Sequence, residues 1–135
     1  MKYNIIFLFI VTLFFSCSDQ KKEENKTQVE LTTQEKLVVV SKEISSKPNA
    51  SSYSKRSNLY SELNEFSLAL DDIKQAIKLD SVNGKYYYQA AKLFRKDSRI
   101  NASINYAIKA TQYGFNDGDV YLLLGENYLI FRQYQ

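Results

Sequence analysis

From residue 50 onward, large apolar and small residues recur at fixed intervals, with polar residues between them. Tyr53, Tyr87 and Tyr121 stand 34 residues apart, and Tyr60, Phe94 and Tyr128 keep the same interval. So do Phe66, Ile100 and Tyr134, while Ala76 is answered by Ala110, Ala69 by Ser103, and Ser57 by Ala91 and Gly125. Within each unit the first aromatic, the small residue four positions on and the second aromatic three further share one helix face. The small residue admits a neighbouring helix, and the aromatics fill the space beside it. A second helix follows, in which Ala69 and Ala76 lie two turns apart with Ile73 between them. One such pair cannot cover its own apolar face, so pairs must stack. The pattern predicts an all-α chain of helix-turn-helix units forming a solenoid.

Upstream the pattern changes. Thr32 followed three residues later by Glu35 makes a capping box, and Leu37, Val40 and Ile44 then line one helical face. A helix over roughly 33–46 is expected, stopped by Ser45-Ser46-Lys47-Pro48. Three consecutive valines leave a short strand as the alternative. Residues 18–30 are polar and aperiodic, as in a solvated tether. Ile5 to Phe15 is an apolar run broken only by Thr12. As a helix it would rise about 16 Å, far short of the roughly 30 Å of a bilayer's hydrocarbon core. It reads as a secretory signal and not as a span. The chain divides into a signal (1–16), a tether (17–31), a preceding helix (32–48) and a repeat domain (50–135). The units are 50–83, 84–117 and a partial 118–135.

The apolar run ends at Ser16-Cys17, where the chain's single Cys meets a strongly polar stretch. A small residue and a Cys directly behind such a run resemble the lipobox of bacterial lipoproteins. Phe14 and Phe15 stand where that motif usually has Leu and a small residue. The alternatives are an ordinary secretory signal, or a short membrane anchor, with an incidental Cys. The resemblance implies that Cys17 is acylated (palmitate among its chains) and becomes the mature N-terminus. Two or three acyl chains, at about 0.8 kcal/mol per buried CH₂, hold a protein firmly to a bilayer. Ser18 behind the Cys is compatible with outer-membrane sorting where two membranes exist. The expected location is the bacterial cell envelope, at its periplasmic or external face.

The 34-residue columns resemble the tetratricopeptide repeat. Its eight key positions read Tyr53, Arg56, Ser57, Tyr60, Ala69, Ile73, Ala76 and Ser81 in the first unit. In the second they read Tyr87, Ala90, Ala91, Phe94, Ser103, Ala107, Ala110 and Phe115. The third opens with Tyr121, Leu124, Gly125 and Tyr128. The pattern departs at Arg56, where Leu is usual, at Ala107, where an aromatic is usual, and in having no Pro at the end of either unit. In this family the first helices line a concave groove. Carried over, its positions are Ser54, Asn58, Ser61 and Glu62, then Lys85, Tyr88, Lys92, Arg95 and Lys96, then Asp119, Leu122, Glu126 and Leu129. The set from Lys85 to Lys96 forms a basic stripe with one aromatic in it. It could hold an acidic peptide, a carboxylate or a charged glycan, or be an ordinary solvated face. The carboxylate clamp of chaperone-binding members does not carry over. Asn58 matches its Asn, but Ser54 replaces its Lys, and Asp119 and Leu123 replace its third-unit basic pair.

The third unit has a first helix only. It could be a terminal cap, but its apolar residues lie all round, which favours a piece of a longer array. Tyr86-Tyr87-Tyr88 reads as packing, with Tyr87 inward and Tyr88 towards the groove. Asp71-Asp72 reads as a solvated acidic turn, and the triplets Asn49-Ala50-Ser51 and Asn101-Ala102-Ser103 as chance glycosylation matches.

Composition narrows the function further. No His occurs, so His-based acid–base catalysis, His ligation and His-containing triads are excluded. One Cys excludes an intrachain disulfide and a multi-Cys zinc site. Four scattered Gly offer no phosphate-cradling loop. With 18 basic and 15 acidic residues, the chain lacks the dense basic footprint of a nucleic-acid binder. No enzyme, metal or cofactor is expected. The reading is a lipid-anchored scaffold for protein–protein interactions, its partner an unidentified envelope protein or peptide. The alternative is a module capturing acidic peptides or glycans in its groove.

Overall fold

The computed structural model describes residues 30–133; Cys17 and Tyr134 lie outside them. The described residues form six helices: α1 (Thr33–Ser46), α2 (Ala50–Glu62), α3 (Phe66–Leu79), α4 (Gly84–Lys96), α5 (Ile100–Gln112) and α6 (Gly118–Gln133). No strand occurs among them. Each helix packs on its sequence neighbours, and α4 also touches α6, so the chain is an all-α helical-repeat solenoid.

Local chemistry fixes the helix ends. Thr32 caps α1 through the box with Glu35. Asn49 accepts from the Ser52 N–H at 2.9 Å, and Asn83 from the Lys85 N–H at 3.2 Å. The turns inside the two full units need a left-handed residue, and Asn64 (φ 62°) and Ser98 (φ 58°), one period apart, supply it. Beside them the Glu65 N–H reaches the Tyr60 carbonyl at 2.9 Å and the Arg99 N–H reaches that of Phe94 at 2.8 Å. These are Schellman-type closures of α2 and α4.

The small columns set the helix spacing. Ser57 donates its hydroxyl to the Ala69 carbonyl at 2.8 Å, joining α2 to α3. In the next unit the roles reverse, and Ser103 of α5 donates to the Ala91 carbonyl of α4, also at 2.8 Å. Ala69, Ile73, Ala76, Ala90, Ala91, Ala107 and Ala110 are fully buried. Phe94 and Tyr87 lie in the core beside them. At Ala107 the volume missing from the family's aromatic column is filled by Tyr106, whose ring stands 4.8 Å from that of Phe94 and 6.2 Å from that of Tyr87.

Two features differ from the sequence expectation. Asp72 is buried, not solvated: it accepts two hydrogen bonds of 2.7 Å from Arg56. The guanidinium stands between the rings of Tyr53 and Tyr60, 5.7 and 5.8 Å from their centroids, and reaches Ser41 of α1 at 3.3 Å. The departure at Arg56 is therefore half of a buried pair, with both ions paired and hydrogen-bonded as burial demands. In the third unit Tyr121 (54% exposed), Gly125 and Tyr128 (50% exposed) face solvent instead of packing. No second helix follows α6 within the described residues to cover them, and α6 docks through Val120, Leu123 and Asn127 on its opposite side.

Close approach also governs Gly84. A Cβ there would meet the Ala110 carbonyl oxygen at 2.6 Å and the Phe115 Cβ at 2.8 Å. Gly84→Ala should therefore destabilise the fold by about 1–3 kcal/mol, although alanine is the better helix former. A urea melt at or above the wild-type midpoint would refute this. Arg56→Leu alone should cost about 3 kcal/mol, because it strands the Asp72 carboxylate. That figure is the low end of the range for buried pairs, since the Arg56 side chain keeps 20% of its surface exposed. Adding Asp72→Leu should recover most of the loss, and a double-mutant cycle with no coupling would show the pair to be energetically idle.

Candidate functional site

The first helices of the units, α2, α4 and α6, line one concave face. Between α2 and α4 lies an open cavity of about 350 Å³, bounded by Asn58, Ser61, Glu62, Gln89, Lys92, Leu93 and Lys96. Between α4 and α6 lies a second of about 250 Å³, bounded by Tyr88, Lys92, Asp119, Leu122, Leu123 and Glu126. Lys92 borders both. Of the groove residues expected from sequence, Asn58, Ser61, Glu62, Tyr88, Lys92, Lys96, Asp119, Leu122 and Glu126 thus line the two cavities.

The walls are held by contacts across the groove. Gln89, buried, accepts from the Ser54 hydroxyl at 2.6 Å and donates to the Ser54 carbonyl at 2.9 Å, fixing α4 against α2. Lys96 donates to the Ser61 hydroxyl at 3.0 Å. The Lys92 ammonium stands 4.7 Å from the Tyr88 ring centroid, and that ring stacks on Phe115 at 4.8 Å. Burial, helped by the carboxylates of Asp119 and Asp117, pushes the Tyr88 hydroxyl above its ordinary range. It therefore remains a neutral donor through physiological pH.

The basic stripe is not uniform. Arg95 ion-pairs with Glu126 of α6, which neutralises it and ties α4 to α6. Lys85 is exposed on the first turn of α4, outside both cavities. Lys92 and Lys96 form no salt bridge among the described residues. The α2–α4 half of the groove is accordingly polar and carries two cationic groups beside the Glu62 carboxylate. The α4–α6 half offers an aromatic face and Leu122 beside the acids Asp119 and Glu126. Gln89 was missed in the sequence reading. Its signal was its place one residue after Tyr88, but only the fold shows that it faces Ser54.

Among the described residues no group of three or more His, Cys, Asp or Glu could hold a metal ion. No helix there is long and apolar enough to cross a membrane.

No family model matches the sequence, and no curated protein matches it. Solved structures do. The first tetratricopeptide domain of Spaghetti (RPAP3), bound to the HSP90 peptide SRMEEVD, superposes with a TM-score of 0.71 at 16% identity, over 74% of this chain and 80% of that one. The second such domain of human RPAP3, in complex with the HSP70 peptide SGPTIEEVD, gives 0.67 at 15% identity, over 71% and 81%. YrrB, a tetratricopeptide protein with an unusual peptide-binding site, gives 0.66 at 27% identity, over 70% of this chain and 49% of that one. This chain thus spans about half of YrrB. The fold is of the tetratricopeptide type.

Proposed function

We propose that this protein is a scaffold that holds a peptide segment of a partner protein in its concave groove and works from a lipid anchor at the bacterial cell envelope. The observation that carries the groove reading is the open, polar α2–α4 cavity, with two lysines that form no salt bridge among the described residues. An anionic side chain or chain terminus entering it would meet Lys92 and Lys96, with Asn58 and Ser61 as further hydrogen-bonding groups. The neighbouring half offers an apolar residue of the same segment the Tyr88 ring and Leu122. Peptide binding by the RPAP3 domains and YrrB supports the mode. The chemistry differs from a carboxylate clamp, because Ser54 is engaged with Gln89, Asp119 is acidic and Leu123 is buried. The anchor rests on the sequence alone: an apolar run, then Ser16 and the chain's one Cys at position 17. A polar tether of some dozen residues would hold the domain off the membrane. A groove of this kind needs no catalytic group, and we read the chain as non-enzymatic.

Fluorescence anisotropy with a labelled acidic peptide ending in a free carboxylate tests the groove. Lys92→Glu with Lys96→Glu should weaken binding about tenfold or more, and added salt should weaken wild-type binding in the same direction. Arg95 is unsuitable for this purpose, since its substitution would break the tie to Glu126. Equal affinity in the double variant would remove the groove from consideration. For the anchor, a radiolabelled fatty acid fed to producing cells should mark the native protein and leave Cys17→Ala unmarked; label surviving in that variant would exclude acylation at Cys17.

A further inference from the structure

Lys92 borders both cavities of the groove, and its surroundings differ on the two sides. Towards α2 it shares the wall with Lys96 and with Glu62, whose carboxylate accepts from the Thr33 hydroxyl of α1 at 3.2 Å. Towards α6 it shares the wall with Asp119 and Glu126, and Glu126 is already paired with Arg95. Asp119 forms no salt bridge among the described residues. Phe115 is stacked on the Tyr88 ring, and the Lys92 ammonium stands over that ring at 4.7 Å. Asp119 and Asp117 lie close enough to add to the upward push that burial gives the Tyr88 hydroxyl. The α4–α6 half thus holds an aromatic ring, a carboxylate without a salt bridge, and a cation that it shares with the other half.

One ammonium cannot serve two anions at once. Building on the peptide-groove reading, on which this step rests, we infer that the bound segment carries an acidic residue and, within two or three positions of it, an arginine. The acidic side chain enters the α2–α4 cavity and draws Lys92 towards it, beside Lys96. Lys92 then leaves the Tyr88 ring, and Asp119 loses the cation that shares its cavity. The group that best refills this place is a cation with a flat face and an apolar stem. A guanidinium stacks on an aromatic ring and forks onto a carboxylate, while its stem lies along Leu122. A lysine of the segment would bring the charge without the plane. A second acidic residue would meet Asp119, so a purely acidic segment is disfavoured in this half. The spacing follows from the fold. The two cavities flank α4 and are separated by the width of one helix, about 10 Å. Two or three residues of extended chain span about 7–10 Å. Either chain direction satisfies this spacing, because the contacts are made by side chains.

Anisotropy titrations of the full 135-residue chain in mild detergent test this, using labelled, end-blocked peptides of otherwise neutral sequence. One set holds Glu and Arg two or three residues apart, in both orders. A second set replaces Arg with citrulline, its neutral isostere, and a third replaces it with Glu. The best Glu–Arg peptide should bind about tenfold more tightly than its citrulline and Glu counterparts. Asp119→Asn should remove most of that advantage, and Asp119→Lys should transfer it to the Glu–Glu peptide, with helicity unchanged in circular dichroism. Arginine and citrulline peptides of equal affinity, both weakened by Lys92→Glu with Lys96→Glu, overturn the inference and leave the groove reading standing. Absence of binding by every peptide, the Glu–Glu one included, overturns both. An arginine advantage undiminished in Asp119→Asn places the cation elsewhere and overturns the inference alone.

Discussion

Everything in this fold depends on how closely one helix can approach the next at a handful of small residues. Ser57 against Ala69 and Ala91 against Ser103 bring the two helices of a unit near enough for a side-chain hydroxyl to reach the opposing carbonyl. Gly84 lets the start of α4 meet the end of α5. Once these contacts set the spacing, the remaining volume is fixed, and only large, flat side chains such as Phe94, Tyr87 and Tyr106 fill it. The serine can stand on either helix, because its task is to fill a small site while satisfying its own hydroxyl. A larger residue would force the helices apart, and the curvature that makes the groove would go with them.

Packing and groove are written on different faces of the same helix. On α4, Tyr87, Ala90, Ala91 and Phe94 face the core, while Tyr88, Lys92 and Lys96 face the concave side. One set can therefore change with little effect on the other. This separation explains why the fold is plain and the ligand is not. It also explains why neighbours sharing only 15–16% of residues superpose so well. The groove's own asymmetry, cationic towards α2 and aromatic with acids towards α6, follows from individual residues on three helices. The Arg95–Glu126 pair uses one of the positive charges of α4 to fasten α6.

The architecture was legible in the sequence because stacking is periodic, and periodic packing writes itself as periodic residues. The left-handed turns at Asn64 and Ser98, inside the units, kept the same period. The groove positions were legible as places on helices, but not as an electrostatic surface. Arg95 reads as a free cation until α6 is seen to bring Glu126 to it. Asp72 was misread for the same reason. An acidic pair on a helix normally faces water, and only the fold places Arg56, sixteen positions earlier, against one of the two. Non-periodic substitutions that compensate each other across helices leave no periodic signal. They can be read only as two departures that make sense together.

The last helix is where these constraints are least satisfied. Asn127 stands in the column that holds Leu59 and Leu93 in the earlier units, and it is fully buried. Its amide donates to the Ser103 hydroxyl at 2.7 Å, which in turn donates to Ala91, so α6 is linked to the small-residue contact of the unit before it. Its carbonyl oxygen has no partner among the described residues, a cost of about 1–3 kcal/mol set against that link. Alignment of α6 is thus specified by a polar contact while its inner face gives up apolar burial. The outer face adds nothing while it lies in water. A helix held this way gains most from being covered, because Tyr121 and Tyr128 leave apolar surface in water on the element whose own packing supplies least.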